Sequence, residues 1–370
     1  MAALFSRKQV LRAIGAFAGT AWLSDAQVPL PEAPATKLSM PGLYPGRVVG
    51  VYNPGTLVKG RVQADAIRKS IRKGMAELTD TDGGAKAWKK FFEPDDIVGI
   101  KLNPNSPHVY SSPEVLHEIV SGLASAGVPN SNIVVYDRYR QGLLSRNIPS
   151  WLPEGVRSSY AAAEFTDDQT GIDGYDPEHY VELPLVNPNL DPRNVAVRRS
   201  YAAKFITREV TKLINVPVLK DHQSAGVTLC LKNLSHGLVN NVNRSHATLT
   251  ANACGTFIPA IVSMPVIRNK TVLHILDGTK GLYHSGPEGD AAFVWEPCMM
   301  YFGTDPVAID HIGMIVIDQQ RIKSGLAKVA DALPDKYSQF HRQPEHIELA
   351  GILGLGVFPE AKINFRGAKL

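Results

Sequence analysis

The chain is poor in the residues that usually announce a chemistry. Its 370 residues include three cysteines, Cys230, Cys254 and Cys298. No two of them form a Cys-x-x-Cys pair, so no local ligand set for zinc or an iron–sulfur cluster is present. Three thiols allow at most one disulfide, and their spacing favours no pairing. No Gly-x-Gly-x-x-Gly follows a strand-like segment, which leaves a Rossmann dinucleotide site without support. The absence of a strand–Gly-x-Ser-x-Gly–helix elbow removes the usual serine nucleophile. Basic residues are scattered rather than blocked together with aromatics, so nucleic acid is not indicated as a partner. The cofactor therefore stays undetermined by motif.

What remains is ordinary for a globular α/β protein: 44% hydrophobic, 20% charged, with a formal net charge of +4. A mildly cationic balance suits anionic small ligands. Residues 1–26 read as an export signal. Ser6-Arg7-Lys8-Gln9-Val10-Leu11 precedes a weakly apolar run from Ala13 to Leu23, and Ser24-Asp25-Ala26 offers small residues for cleavage. That run is too short to span a bilayer stably, so the membrane enters only through the signal. Residues 27–46, rich in Pro and Ala, read as an extended linker.

From residue 47 to 370 the pattern predicts a single α/β domain. Apolar runs at Arg47–Tyr52, Ile97–Leu102, Asn132–Tyr136, Leu213–Leu219, Lys270–Leu276 and Cys298–Phe302 read as strands. Between them, helical spacing appears at residues 62–78, Pro113–Ala126, Ala225–Leu238, Thr256–Val262 and Val307–Gln319. Such alternation argues for a mostly parallel sheet flanked by helices. Residues 140–200, crowded with Pro, Asp, Tyr and Asn, interrupt it as an irregular insertion. A short helix is expected in Pro344–Gly356.

The candidate site is read from strand ends. Lys220-Asp221-His222 follows the Leu213–Leu219 run, and Pro217 within that run predicts an edge or irregular strand. At about 100° per residue, Val227, Cys230, Leu231, Leu234 and Leu238 share one helix face, while Thr228, Lys232, Asn233, His236 and Asn240 share another. That second face has no acid, unlike an ordinary solvated helix surface. Asp277 with Lys280, and Thr304-Asp305-Pro306, close two further strands; Thr304 or Asp305 also suits a helix cap.

These residues resemble a known family. Val216-Pro217-Val218-Leu219-Lys220-Asp221-His222, Gly226-Val227-Thr228-Leu229 and Leu231-Lys232-Asn233 look like the core of the "domain of unknown function 362" family. The Asp277-Gly278 turn, the Gly286-Pro287 loop and Thr304-Asp305-Pro306-Val307-Ala308-Ile309-Asp310 match its later blocks. The resemblance covers roughly residues 47–356 and implies a fold and a pocket, not a reaction. Relatives often carry a ferredoxin-like insert with four-cysteine runs; this chain lacks one and resembles the exported branch with a twin-arginine-like leader, implying a periplasmic location.

Three functions are carried forward. In the first, an enzyme acts on an anionic small molecule. Lys101, Lys220, Lys232, Asn233, Lys280 and Asp305 bind it, His222 or His236 moves protons, and Asp221 or Asp277 orients the imidazole. In the second, the same residues capture an anionic solute without turnover. In the third, His222, His236, His246 or His284 with Asp221 or Cys254 holds a metal or redox group.

Overall fold

A computed structural model describes residues 34–246, 252–339 and 341–370. The expected export signal lies outside them. Of the expected linker, residues 34–46 are described; they turn rather than run extended, and Met40 is buried against the domain.

In chain order the principal elements are β1 (Arg47–Tyr52), α1 (Ala64–Thr79), β2 (Val98–Lys101), α2 (Pro113–Ala126), β3 (Ile133–Tyr136), β4 (Arg157–Ser159), β5 (Tyr175–Glu182), β6 (Arg199–Ala203) and β7 (Lys212–Asn215). They continue with β8 (Val218–His222), β9 (Gly226–Val227), α3 (Leu229–Leu238), α4 (Cys254–Val262), β10 (Thr271–Leu282), β11 (Val294–Trp295), β12 (Met299–Gly303), α5 (Pro306–Lys323), α6 (His346–Ile352) and β13 (Asn364–Lys369). Eleven strands form one sheet with the central order β13-β1-β12-β10-β7-β2-β3-β4. From β10 to β4 neighbours are parallel, as are β1 and β13. The architecture is the mostly parallel, helix-flanked α/β sheet expected from the alternation.

Parallel strands buried on both faces need apolar residues at consecutive positions. β3 supplies them: Ile133 and Val135 join the core under α1 and α2, while Val134 and Tyr136 join the core under α3, α4 and α5. Local signals set the helix ends. For α2, the Ser112 hydroxyl accepts from Val115 N–H, Pro113 opens the first turn, and Gly127 closes the last at φ +101°.

Three expectations change. The segment at 140–200 is less irregular than its composition suggests: β4 joins the main sheet, and β5 and β6 form a two-stranded antiparallel unit. The strand expected to stop at Leu276 runs on to Leu282, so Asp277-Gly278 is strand rather than turn. Finally, β12 is antiparallel to both β1 and β10, with Gly303 opposite His274 and Met299 opposite Gly278.

That reversal removes Asp305 from the shared edge. It follows β12 and therefore sits at the amino-terminal end of β10, away from Lys220. Its carboxylate is wholly structural. Oδ1 accepts from Ala308 N–H at 2.9 Å and caps α5, while Oδ2 accepts from Gly46 and Val357 N–H, both at 2.9 Å. Burial pushes its pKa up to about 6, against those backbone bonds. Replacing Asp305 by Ala leaves buried N–H groups unpaired, so it should lower stability by about 2–4 kcal/mol without changing anion binding. Denaturant melts beside ligand titrations check both halves.

Candidate functional site

The predicted strand Leu213–Leu219 is two strands. β7 pairs with the first part of β10 and β8 with its second part, and the chain bends between them at Val216-Pro217. Proline cannot donate to a ladder, and here its carbonyl accepts from Asp277 N–H at 2.9 Å. β8 ends in Lys220-Asp221-His222, and β9 turns back on it, pairing Asp221 with Val227 and His222 with Gly226. Gly226 is required there: φ is +85°, and a Cβ would stand 2.7 Å from Val329.

Because Gly226–Val227 pairs with β8, the helix expected from Ala225 starts only at Leu229. Its amino end is held from another helix. Asp310 on α5 accepts from Cys230 N–H at 2.7 Å and Leu231 N–H at 2.8 Å. Burial pushes Asp310 up to about 8 against these two bonds. The acid-free face predicted on α3 is not solvated: Lys232 is 7% exposed and Asn233 4%.

Asn233 reaches the strand ends. Its Nδ2 donates to Asn215 Oδ1 at 2.7 Å, and its Oδ1 accepts from Asn103 Nδ2 at 3.0 Å and Lys101 Nζ at 3.4 Å. Lys101 is neutralised in place by Asp137 at 2.7 Å. Burial lowers its pKa and Asp137 opposes the shift. The helix passes so close that a Cβ at Gly237 would lie 2.2 Å from Lys101 Cε. Lys101 and Asn233 thus tie α3 to the sheet rather than standing free for a ligand.

Lys220 and Lys232 are different. Lys220 is fully buried, and its Nζ donates only to Pro287 O, at 3.2 Å. Lys232 Nζ donates to no described residue, and no described carboxylate lies within 4.0 Å of either ammonium group. Burial, then the charge of Lys232, lowers Lys220 to about 7; burial lowers Lys232 to about 8. Asp221 and Asp277, the carboxylates expected beside Lys232, are engaged elsewhere.

Neighbouring strand residues face opposite ways. Asp221 therefore turns from the side of Lys220 and His222. Its Oδ1 accepts from Gly286 N–H at 2.9 Å, and Oδ2 is buried without a hydrogen bond. Burial raises it to about 6, with Arg342 and Arg321 pulling the other way. Asp277 accepts from Thr279 N–H, Thr279 Oγ1 and Ser112 N–H, and burial raises its pKa. Neither aspartate touches an imidazole, so the expected orienting role is not met. Lys280 is half-buried on β10, and its side chain makes no hydrogen bond with a described residue.

The histidines form a stack: His246 lies 5.7 Å from His222 and 5.6 Å from His236, ring centre to ring centre. His222 Nδ1 accepts two backbone N–H bonds, from Ser224 at 3.0 Å and Ala225 at 3.2 Å. The neutral ring consequently carries its proton on Nε2, where it can only donate a hydrogen bond. His236 is bracketed by the Ser235 and Ser245 hydroxyls at 2.9 and 3.1 Å. Burial first, and Lys232 second, holds both rings well below the ordinary histidine range. In this geometry the His222 Nδ1 and both His236 nitrogens are engaged by protein groups.

Other sequence candidates are also structural. Asn240, Asn241 and Arg244 bind the backbone of the insertion, at Tyr201, Arg199 and Leu185 among others. His284 stands apart beside Arg321 and Asp335. All three cysteines are free, and burial raises Cys254 to about 11. Among the described residues, no group of three or more His, Cys, Asp or Glu has the placement to hold a metal ion. Sequence reasoning passed over Asp137, Asn103 and Asn215 as site residues, although each is a polar residue at a strand's carboxyl end. A groove lined by Thr207, Val210, Thr211, Lys270 and Val272 lies at the other end of the strands.

If Lys101–Asp137 is a buried structural pair, Asp137→Ala should cost about 3–5 kcal/mol by stranding the ammonium group. Lys101→Met with Asp137→Leu together should be near neutral in stability. Urea melts of the single and double variants decide; a destabilised double variant would give the pair a role beyond mutual neutralisation.

A search of curated proteins finds no match. The family model described as "Domain of unknown function (DUF362)" matches residues 98–314, from the start of β2 into α5, more than half of the chain and the whole of the assembly around Lys220 and Lys232. The chain belongs to the DUF362 family.

Proposed function

We propose that this protein holds an anionic small molecule in an enzyme-like site at the carboxyl ends of its parallel strands, with Lys220 and Lys232 as the cationic contacts. One observation carries the reading: two ammonium groups are buried without a described carboxylate partner. An uncompensated buried charge is costly, and an anionic ligand removes that cost. His222, with its proton on Nε2, adds a neutral donor that can polarise a bound oxyanion or carbonyl.

A second reading, capture of the anion without turnover, draws support from the same two rings. The His222 Nδ1 and both His236 nitrogens are taken by protein groups, which leaves neither ring an obvious route for carrying a proton.

Lys232→Met keeps the stem's packing and removes the charge. It should abolish anion-induced thermal stabilisation while leaving the melting temperature of the free protein unchanged or raised. If Lys232 merely points to solvent, neither quantity moves; if the free variant unfolds, the lysine is part of a structural ion pair. The pH dependence has a definite sign. Both lysines have lowered pKa values, about 7 and about 8, so a bound anion that restores their charge takes up protons. Affinity should therefore fall as pH rises through 7–8. The free protein binds fewer protons than the unfolded chain between those values and the ordinary lysine range, so these groups make stability rise with pH over that interval. Calorimetric titrations in buffers of different ionisation enthalpy measure the proton uptake directly.

We further propose that residues 1–26 direct export by a twin-arginine-like route. The Arg7-Lys8 pair, the short apolar run and the Ser24-x-Ala26 site support it. Mass spectrometry of the mature chain should find an amino terminus near Gln27 in a periplasmic fraction; a cytoplasmic chain beginning at Met1 would sink the proposal.

A further inference from the structure

The unpartnered donors around Lys220 and Lys232 also specify which anion fits. This step rests on the site reading above. An ammonium group has three N–H donors and no acceptor. Lys220 spends one donor on Pro287 O, and Lys232 spends none on a described residue. His222 adds an Nε2–H, because its Nδ1 is filled by two backbone donors. The remaining charged neighbours do not cancel the two lysines. Lys101 is matched by Asp137, and Arg138 donates to Val239 O and Tyr139 Oη with no described carboxylate within salt-bridge distance. Glu288, whose charge opposes the lowering of both lysines, is exposed, in the loop whose Pro287 carbonyl meets Lys220.

A monocarboxylate brings one charge and two oxygens, which leaves one ammonium group uncompensated. Lys220 and His222 reach from β8 and Lys232 from α3, so a group whose oxygens point in several directions suits them better than a planar one. We infer that the site is built for a tetrahedral dianion, the terminal group of a phosphate monoester or inorganic phosphate itself. Its three or four oxygens accept from Lys220, Lys232 and His222 together, and its two charges match the two lysines. Arg138, buried and with no described carboxylate in salt-bridge distance, supplies further positive potential.

The test is isothermal titration of the full chain at constant ionic strength and pH 7.5 with inorganic phosphate, methyl phosphate, sulfate, dimethyl phosphate, malonate and acetate. Dimethyl phosphate is the decisive control, because it keeps the tetrahedral shape and carries a single charge. Phosphate, methyl phosphate and sulfate should bind roughly tenfold or more tightly than dimethyl phosphate and acetate. Lys220→Met and Lys232→Met should each bring the dianions down to the monoanion level. Methyl phosphate above phosphate identifies an ester as the ligand, and the reverse order identifies the free ion. If dimethyl phosphate or acetate binds as well as phosphate, and binding still depends on Lys232, the dianion inference is wrong while the anion site stands. Malonate binding more tightly than phosphate also overturns it, in favour of two separated carboxylates. If no anion binds in a Lys232-dependent way, the site reading itself falls. The wild-type series needs no variant, so a failure of either substitution to fold leaves the comparison intact.

Discussion

The arrangement at the strand ends depends on a carboxylate that touches no candidate ligand residue. Asp310 on α5 accepts the first free N–H groups of α3 and fixes where that helix begins. A helix start carries unsatisfied donors and a partial positive charge, so a buried acid is a strong anchor for it. With its start set by Asp310 and its middle set by Asn233 against Asn215 and Asn103, α3 has no freedom to rotate. Lys232, one residue before Asn233, is thereby placed where it is 7% exposed. Its burial disfavours the charged form of the side chain.

The second constraint is the two-residue period of β8. Lys220 and His222 share a side with Lys232, and Asp221 between them faces Arg321 and Arg342. The alternation separates cations from the one carboxylate that stands next to them in sequence. Had β8 slipped by one residue, Asp221 would have met Lys232 and closed the site with an internal ion pair. The β9 hairpin and the bend at Val216-Pro217 both pin this register.

Much of the fold was legible because the buried parallel strands announce themselves as apolar runs and the helices by caps such as Ser112-Pro113 and Asp305-Pro306. Strand direction was not legible. Nothing in Met299–Gly303 says that it runs against β10, and that reversal alone took Asp305 away from the site. The edge strand Asn364–Lys369 escaped notice because its exposed residues lack an apolar pattern. The acid-free face of α3 coincides with burial of Lys232 and Asn233, which sets it apart from a solvated helix surface. The sequence could not tell which lysines find carboxylates. Lys101 is matched by Asp137 from the neighbouring strand, a pairing set by β2–β3 adjacency and invisible in a separation of 36 residues.

The histidine stack follows from the same electrostatics. Three imidazoles packed at 5.6–5.7 Å cannot all be charged in a buried setting. Burial therefore disfavours the charged form of all three imidazoles, and the nearby Lys232 adds to that effect. This shift runs against the first expectation from the sequence, in which histidines were the active titrating groups. A group works as a switch only where its pKa lies near the working pH. Burial lowers the histidines away from that window and brings Lys220 and Lys232 toward it, where burial also places Asp221 and Asp310 from the acid side.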